Sequence, residues 1–412
     1  MSSIPEEDLI DEGALPPDDF HEYIERIQEI ADFELIPPSD LMERVQRESL
    51  HLLVEPGILR AAACALQVGN LVLQGPPGTG KSSLARALCR AFHCSALPVT
   101  AHEDWTTYEV IGRQTLVVDE QGREQIIPLN GFFTEAVIRC AGQMVRHFDN
   151  PDEPQATWLL IDELNRAHID RAFGELLTVL GTDELVPITL QYQKEGNREI
   201  VTPRRFRVIG TLNSVDRQFV NSLGQGLKRR FSFITLDIPG PRRSGEPWGS
   251  EDADASIASK EFSVVSERAA QRAARRAASD QHANSEASSS EFLGFLARQA
   301  RPTLESLFDL IERARYAEKG TDQPYLPIGT AQLIDTVELF LVRAYFDGAD
   351  ESHLPPLMDW AASVKLAPLF DTDTISPEHL QDFADGLTEP FDKLMRQELL
   401  QIVSLGQFYV KP

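Results

Sequence analysis

Gly75-Pro76-Pro77-Gly78-Thr79-Gly80-Lys81-Ser82 is the stretch that decides the fold of this chain. It matches the pattern G-x-x-x-x-G-K-[ST] at every fixed position. Three glycines let the backbone curl until successive N–H groups point inward at phosphate oxygens. Lys81 brings a compact positive charge to the β- and γ-phosphates. The Ser82 hydroxyl offers a hard oxygen to Mg²⁺, and Ser83 completes the set assigned to nucleotide binding. The plain alternative is a Gly/Pro-rich turn with an accidental lysine, and the flanks speak against it. Leu71-Val72-Leu73 reads as a short buried strand. Leu84, Ala87, Leu88 and Ala91 recur at i, i+3, i+4 and i+7, one face of a helix. Strand, loop and helix in that order place the phosphates at a helix N-terminus.

Downstream, Thr157–Ile161 is an apolar strand that ends in Asp162-Glu163. Acids often end strands as solvated turns, but beside a phosphate loop the pair has a defined task. Asp162 orders Mg²⁺ and its waters, and Glu163 polarises an attacking water. A later strand, Phe206–Leu212, ends at Asn213, whose amide is suited to the γ-phosphate or the lytic water. Leu227-Lys228-Arg229-Arg230-Phe231 precedes a last strand, Ser232–Leu236. Arg229 and Arg230 are expected to face the nucleotide of a neighbouring subunit, where an arginine neutralises charge on the transferring phosphoryl. The sequence does not choose between them.

Taken together these residues resemble an AAA+ ATPase, in the branch that holds McrB-type restriction motors, MoxR proteins and dynein-related AAA modules. Gly75–Ser82 is similar to its Walker A. Leu159-Leu160-Ile161-Asp162-Glu163-Leu164-Asn165-Arg166 is similar to the McrB-type Walker B. Ile209–Arg217 resembles sensor 1, and Lys228-Arg229-Arg230-Phe231 the arginine-finger segment. The likeness covers roughly residues 45–240. It implies an α/β P-loop core, a parallel sheet between helices with two β-hairpin insertions, followed by an all-α lid. It also implies ATP as substrate, with GTP open, Mg²⁺ as cofactor, and a homo-oligomeric ring, by expectation a hexamer. A nuclease or a von Willebrand A-type protein is the kind of partner the branch suggests. The MoxR sensor 2 arginine is missing: Ile328-Gly329-Thr330-Ala331-Gln332 has none before Arg343. That favours the McrB side. No methyl-base-reading domain is visible, so restriction is not carried over with the fold.

The chain as a whole bounds the partners. It has 412 residues, 42% of them hydrophobic, and a formal net charge of −25. That balance argues against a broad duplex-binding face, while a local contact through Arg268, Arg272, Arg275 and Arg276 stays open. Four cysteines in so long a chain fit a reducing compartment rather than a disulfide framework. Cys89, His93 and Cys94 lack a fourth ligand at metal spacing and read as core. No secretory signal and no run of 18 apolar residues is visible, so a cytoplasmic protein without membrane contact is expected.

The expected domains are four. Residues 1–44 are an acidic tail with short helices, the first 19 carrying seven acidic residues and no basic one. Residues 45–239 are the P-loop core, with hairpins at 115–127 and 188–201. In the core, Phe173, Leu176, Leu177 and Leu180 suggest one helix capped by Gly181. The basic run Lys194, Arg198, Arg204, Arg205 and Arg207 reads as a solvated hairpin with interspersed charge. Residues 240–290 are polar and read as a flexible insertion or linker; their Ala/Arg-rich centre, Ser266–Ser279, is compatible with helix but offers no large apolar side chain to bury. Residues 291–412 form the helical lid and C-terminal extension, with Trp360, Phe370 and Phe391 as core.

Overall fold

Leu71, Val72 and Leu73 are fully buried on both sides, which is what a central parallel strand requires. They belong to β1 (Asn70–Gly75) in a computed structural model that describes residues 29–409, apart from 119–123, 175, 177–178, 181–184, 193–198, 214–223, 251, 253, 279–288, 317–325 and 373–374. The chain divides into two units. The first holds residues up to Gly75 and Lys81–Leu236; the second holds Pro76–Gly80 and everything from Asp237 onward.

In the first unit, α1 (Leu41–Glu48) and α2 (Pro56–Val68) lead into β1. Then come α3 (Lys81–Ala91), β2 (Ser95–Thr100), the antiparallel pair β3 (Gly112–Val118) and β4 (Glu124–Asn130), and α4 (Phe132–Asp149). The unit continues with β5 (Thr157–Asp162), the short pair β6 (Pro187–Thr189) and β7 (Glu199–Val201), β8 (Val208–Asn213) and β9 (Phe231–Thr235). The other five strands form a parallel sheet in the order β2-β5-β8-β1-β9. Both expected hairpins are present; their turns lie outside the described residues.

Three details differ from the sequence expectation. The boundary at residue 44 cuts through α1, whose Leu41 and Val45 are buried in the core of the first unit. The helix expected through Leu180 ends at Phe173, where Gly174 leaves helical geometry (φ 0°, ψ −83°); Phe173, Leu176 and Leu180 are buried all the same, and Leu177 and Gly181 give nothing to describe. The basic run is not a solvated face at Arg205 and Arg207, which are 4% and 8% exposed. Arg205 Nε donates to the Glu34 carbonyl at 2.9 Å, and Arg207 Nε to that of Leu66 at 2.8 Å. These guanidiniums tie the chain before β1 and β8 together by capping carbonyls, which is why they tolerate burial. Lys194 and Arg198 lie outside the described residues.

The second unit is helical: α5 (Ile257–Ala278), α6 (Ser289–Arg298), α7 (Arg301–Arg315), α8 (Thr330–Asp347), α9 (Leu354–Lys365), α10 (Pro377–Asp385) and α11 (Leu394–Tyr409). Here the flexible reading of 240–290 meets its largest departure. α5 is 22 residues long and buries Phe262, Val265, Ala269, Ala270, Ala273 and Ala277 in the core of this unit. Its stripe is made of alanines, which let helices approach closely without the large side chains that announce a core in sequence. Arg272 and Arg276, two of the four candidate nucleic-acid contacts, are paired with Asp335 and Glu338 of α8. Phe370 and Phe391 are core, and Trp360 is partly buried under the Arg343 guanidinium, 4.1 Å from its ring.

Candidate nucleotide site

Gly75 closes β1 at φ +153°, and a Cβ there would sit 1.9 Å from the Leu236 carbonyl oxygen. Backbone cannot yield to that contact, so only glycine fits. Gly75→Ala is expected to destabilise by at least about 1–3 kcal/mol, as overpacking does; a thermal melt that matches the parent would contradict the contact. After the loop, α3 begins at Lys81. Its ammonium is buried and donates to the Gly75 carbonyl at 2.9 Å.

The register brings the chemistry together. Gly75 of β1 lies opposite Asn213 of β8, and β5, ending at Asp162, is the next strand over. Ser82 Oγ donates to Asp162 Oδ1 at 2.8 Å, and the Thr211 hydroxyl donates to the same oxygen. Thr211 Oγ1 in turn accepts from the Glu163 N–H at 3.0 Å. Thr211 is a further site residue to which no motif position gives a role. Its signal was there: a buried hydroxyl in an otherwise apolar strand, two residues before Asn213.

Glu163 adopts left-handed backbone (φ 55°, ψ 45°). For a residue with a Cβ that costs about 1–3 kcal/mol, and such strain concentrates where a side chain must be aimed. The carboxylate is held by Arg166 Nε at 2.6 Å and approached by Asn213 Nδ2 at 3.4 Å. Asn165, buried, offers its Oδ1 to the Asn213 N–H at 3.5 Å. Asn165 and Arg166 therefore brace the residues expected to act.

Burial pushes the Lys81 ammonium down from 10.5 to about 8, against the opposing pull of Asp162 and Glu163. The free site therefore holds a protonated lysine below pH 8 and an increasingly neutral one above it. Triphosphate affinity should be full below pH 8 and fall as pH rises past it, by up to about tenfold per unit, because binding then takes up a proton. Titrating a fluorescent nucleotide at pH 7 and pH 9 checks this; equal affinities would contradict it.

Arg229 and Arg230 are not brought to this site. They precede β9, whose first residue, Phe231, pairs with Asn70, the first residue of β1. The phosphate loop leaves the other end of β1, roughly 17 Å away at ~3.3 Å per strand residue. Both arginines line a cleft of about 380 Å³ with Asn70, Arg207 and Phe231. They differ in commitment. Arg230 Nη1 donates to the Gly226 carbonyl at 2.6 Å. Arg229 is exposed, with no hydrogen bond or ion pair among the described residues.

A glycine-rich loop, a buried lysine, a Ser–Asp pair and a Glu–Asn pair at adjoining ends of parallel strands are the parts of a nucleoside triphosphatase. Residues 70–231 match the family model described as the AAA domain of the dynein-related subfamily. The core is an AAA+ domain of the McrB/dynein-related branch. The AAA core is 28% identical over 178 residues to the EcoKMcrB subunit of the type IV methyl-directed restriction enzyme of Escherichia coli K12, a match covering 41% of this chain and 35% of that one. An uncharacterized Staphylococcus epidermidis protein is 27% identical over 172 residues, covering 41% and 55%. The matches thus span about a third to a half of these relatives. Among solved structures, a RuvB variant of Thermotoga maritima covers 85% of this chain and 80% of its own, at 13% identity and a TM-score of 0.36.

Three thiols of the AAA core, Cys89, Cys94 and Cys140, are buried, which disfavours the thiolate. Burial pushes Cys89 and Cys140 up to about 12, and Cys94 well above its usual range. No helix among the described residues is long and apolar enough to cross a membrane.

Proposed function

We propose that this chain is a Mg²⁺-dependent ATP hydrolase that works as a ring, by expectation a hexamer, and spends hydrolysis on remodelling a protein partner. The observation that carries the reading is the split of the machinery: phosphate, metal and base residues at one end of the sheet, and at the other an exposed Arg229 with no partner among the described residues. A monomer has no use for that arrangement, whereas a neighbour's nucleotide placed against Arg229 gives it one.

The donor set suits Mg²⁺: Ser82 Oγ and Asp162 Oδ1 are hard oxygens already 2.8 Å apart. Bound there, the ion would neutralise charge on the β- and γ-phosphate oxygens. The chain's own groups do the rest. Loop N–H groups and Lys81 hold the phosphates. Glu163, aimed by its strained backbone, takes a proton from the attacking water. Asn213 keeps that water and the Glu163 carboxylate in one geometry, and Arg229 of the next subunit stabilises the transition state. The cofactor-binding set is the full stretch Gly75–Ser83.

One observation favours a second reading, a GTP-driven motor subunit coupled to a nuclease on DNA: the most informative relative is named as a subunit of a restriction enzyme. Hydrolysis of ATP and GTP, measured across protein concentration, separates the two and tests the ring. Turnover per subunit that climbs with concentration supports composite sites. Turnover that stays flat from nanomolar to micromolar would sink them. A third possibility, a nucleotide-gated scaffold with little turnover, would give near-zero rates with both nucleotides.

A further inference from the structure

Pro76–Gly80 belongs to the helical unit, and a turn of that unit, Ile328–Gln332, lies directly on it. Ala331 N–H donates to the Gly78 carbonyl at 3.2 Å. Each side of the contact needs a glycine, Gly329 for lack of space against backbone and Gly78 for its left-handed φ. A Cβ on Gly329 would lie 2.4 Å from the Pro77 oxygen and 2.6 Å from the Gly78 carbonyl carbon. Gly78 itself stands at φ +78°, and a Cβ there would meet Gln332 Oε1 at 2.1 Å. That oxygen is buried and has no hydrogen-bond partner among the described residues.

The turn is held from behind by a buried ion pair. Glu261 of α5 and Arg315 of α7 are 1% and 3% exposed and bond through both oxygens and both terminal nitrogens, at 2.6 and 2.9 Å. Their remaining capacity goes to the turn. Arg315 Nε donates to the Ile328 carbonyl at 2.7 Å, and the Thr330 hydroxyl donates to Glu261 Oε1 at 2.7 Å. Residues 328 and 330 are therefore pinned on either side of Gly329. A buried pair is weak evidence of stability by itself, and fixing one geometry is the better-attested use. Bidentate guanidinium–carboxylate geometry makes that fixing directional.

We propose that Glu261 and Arg315 are positioning residues for the phosphate loop. Through Thr330 and Ile328 they set Gly329 against Pro77–Gly78, and that contact fixes the curvature with which residues 76–80 present their N–H groups to a nucleoside triphosphate. The proposal rests on the phosphate-loop reading of Gly75–Ser82. It assigns the work at the start of α8 to backbone packing, held from behind by the Glu261–Arg315 pair. The expected consequence is an effect on nucleotide affinity that exceeds any effect on the chemical step.

The test titrates N-methylanthraniloyl-ATP with Mg²⁺ into the full chain as parent, Lys81→Ala, Gly329→Ala, Thr330→Val and Thr330→Ser, with KM and kcat measured alongside and folding checked by thermal melt. Gly329→Ala should weaken binding at least tenfold. Thr330→Val should weaken it threefold or more, and Thr330→Ser, which keeps the hydroxyl, should return to within twofold of the parent. KM should rise with kcat held within threefold. Parent-like affinity in Gly329→Ala and Thr330→Val, with binding lost in Lys81→Ala, would overturn the positioning role and leave the loop reading intact. Parent-like binding in Lys81→Ala would overturn the loop reading, and this proposal with it. If Gly329→Ala does not fold, the Thr330 pair decides alone.

Discussion

Glu163→Gln is expected to bind ATP and hold it, with kcat lowered by about 10²–10⁴, the usual contribution of a positioned general base. The amide keeps the size of the carboxylate and its ability to accept a bond from Asn213 Nδ2, now 3.4 Å away. What it loses is the capacity to take a proton from water. Lys81, Ser82 and Asp162 are untouched, so affinity should match or exceed that of the parent. The exposed Arg166 also loses its ion pair, but surface pairs contribute little to stability, so the melt should barely move. Single-turnover hydrolysis with a filter-binding assay for retained nucleotide checks both halves. A variant that turns over at the parental rate would remove Glu163 from the mechanism.

Arg229→Ala should cost as much or more, about 10³–10⁵ in kcat, the range seen for an arginine supplied to a transferring phosphoryl. Arg230→Ala should do less to catalysis, because Arg230 already spends a donor on the Gly226 carbonyl at 2.6 Å and serves the turn into β9. Arg229 has no such internal bond among the described residues. Its own phosphate loop is at the far end of β1, so its loss should leave single-subunit nucleotide binding unchanged and strike only turnover. Equal losses in both variants, or a loss in binding that tracks the loss in rate, would contradict the assignment.

The sequence carries the near end of this site well, because local motifs specify it. The octet at Gly75, the acid pair ending β5 and the polar end of β8 are each visible within a few residues, and the strand order sets Asn213 opposite Gly75. What sequence does not carry is commitment. Arg229 and Arg230 are adjacent and identical in type, and only the Gly226 carbonyl separates them. Arg205 and Arg207 read as solvated until their carbonyl partners, over a hundred residues away, are known. The burial of helix 257–278, whose Ala/Arg-rich centre already reads as helix-compatible, escapes for a different reason. Alanine has so little apolar surface that its periodicity is faint, although Ala269, Ala270, Ala273 and Ala277 are buried in sequence-distant company. Glu261 reads as one more acid in a polar stretch until Arg315, 54 residues on, closes on it. Thr211 is a milder case, legible as a polar break in an apolar strand but without a motif to give it a role.

The measurement that reaches the central claim most directly mixes two inactive proteins. Glu163→Gln subunits keep Arg229, and Arg229→Ala subunits keep Glu163. If the site is completed by a neighbour, mixed rings contain junctions with both groups intact, and ATP turnover should reappear on mixing, peak near equal proportions, and be absent from either protein alone. A mixture that stays as inactive as its parts, while each protein still binds nucleotide and the two co-assemble, would contradict a site shared between subunits.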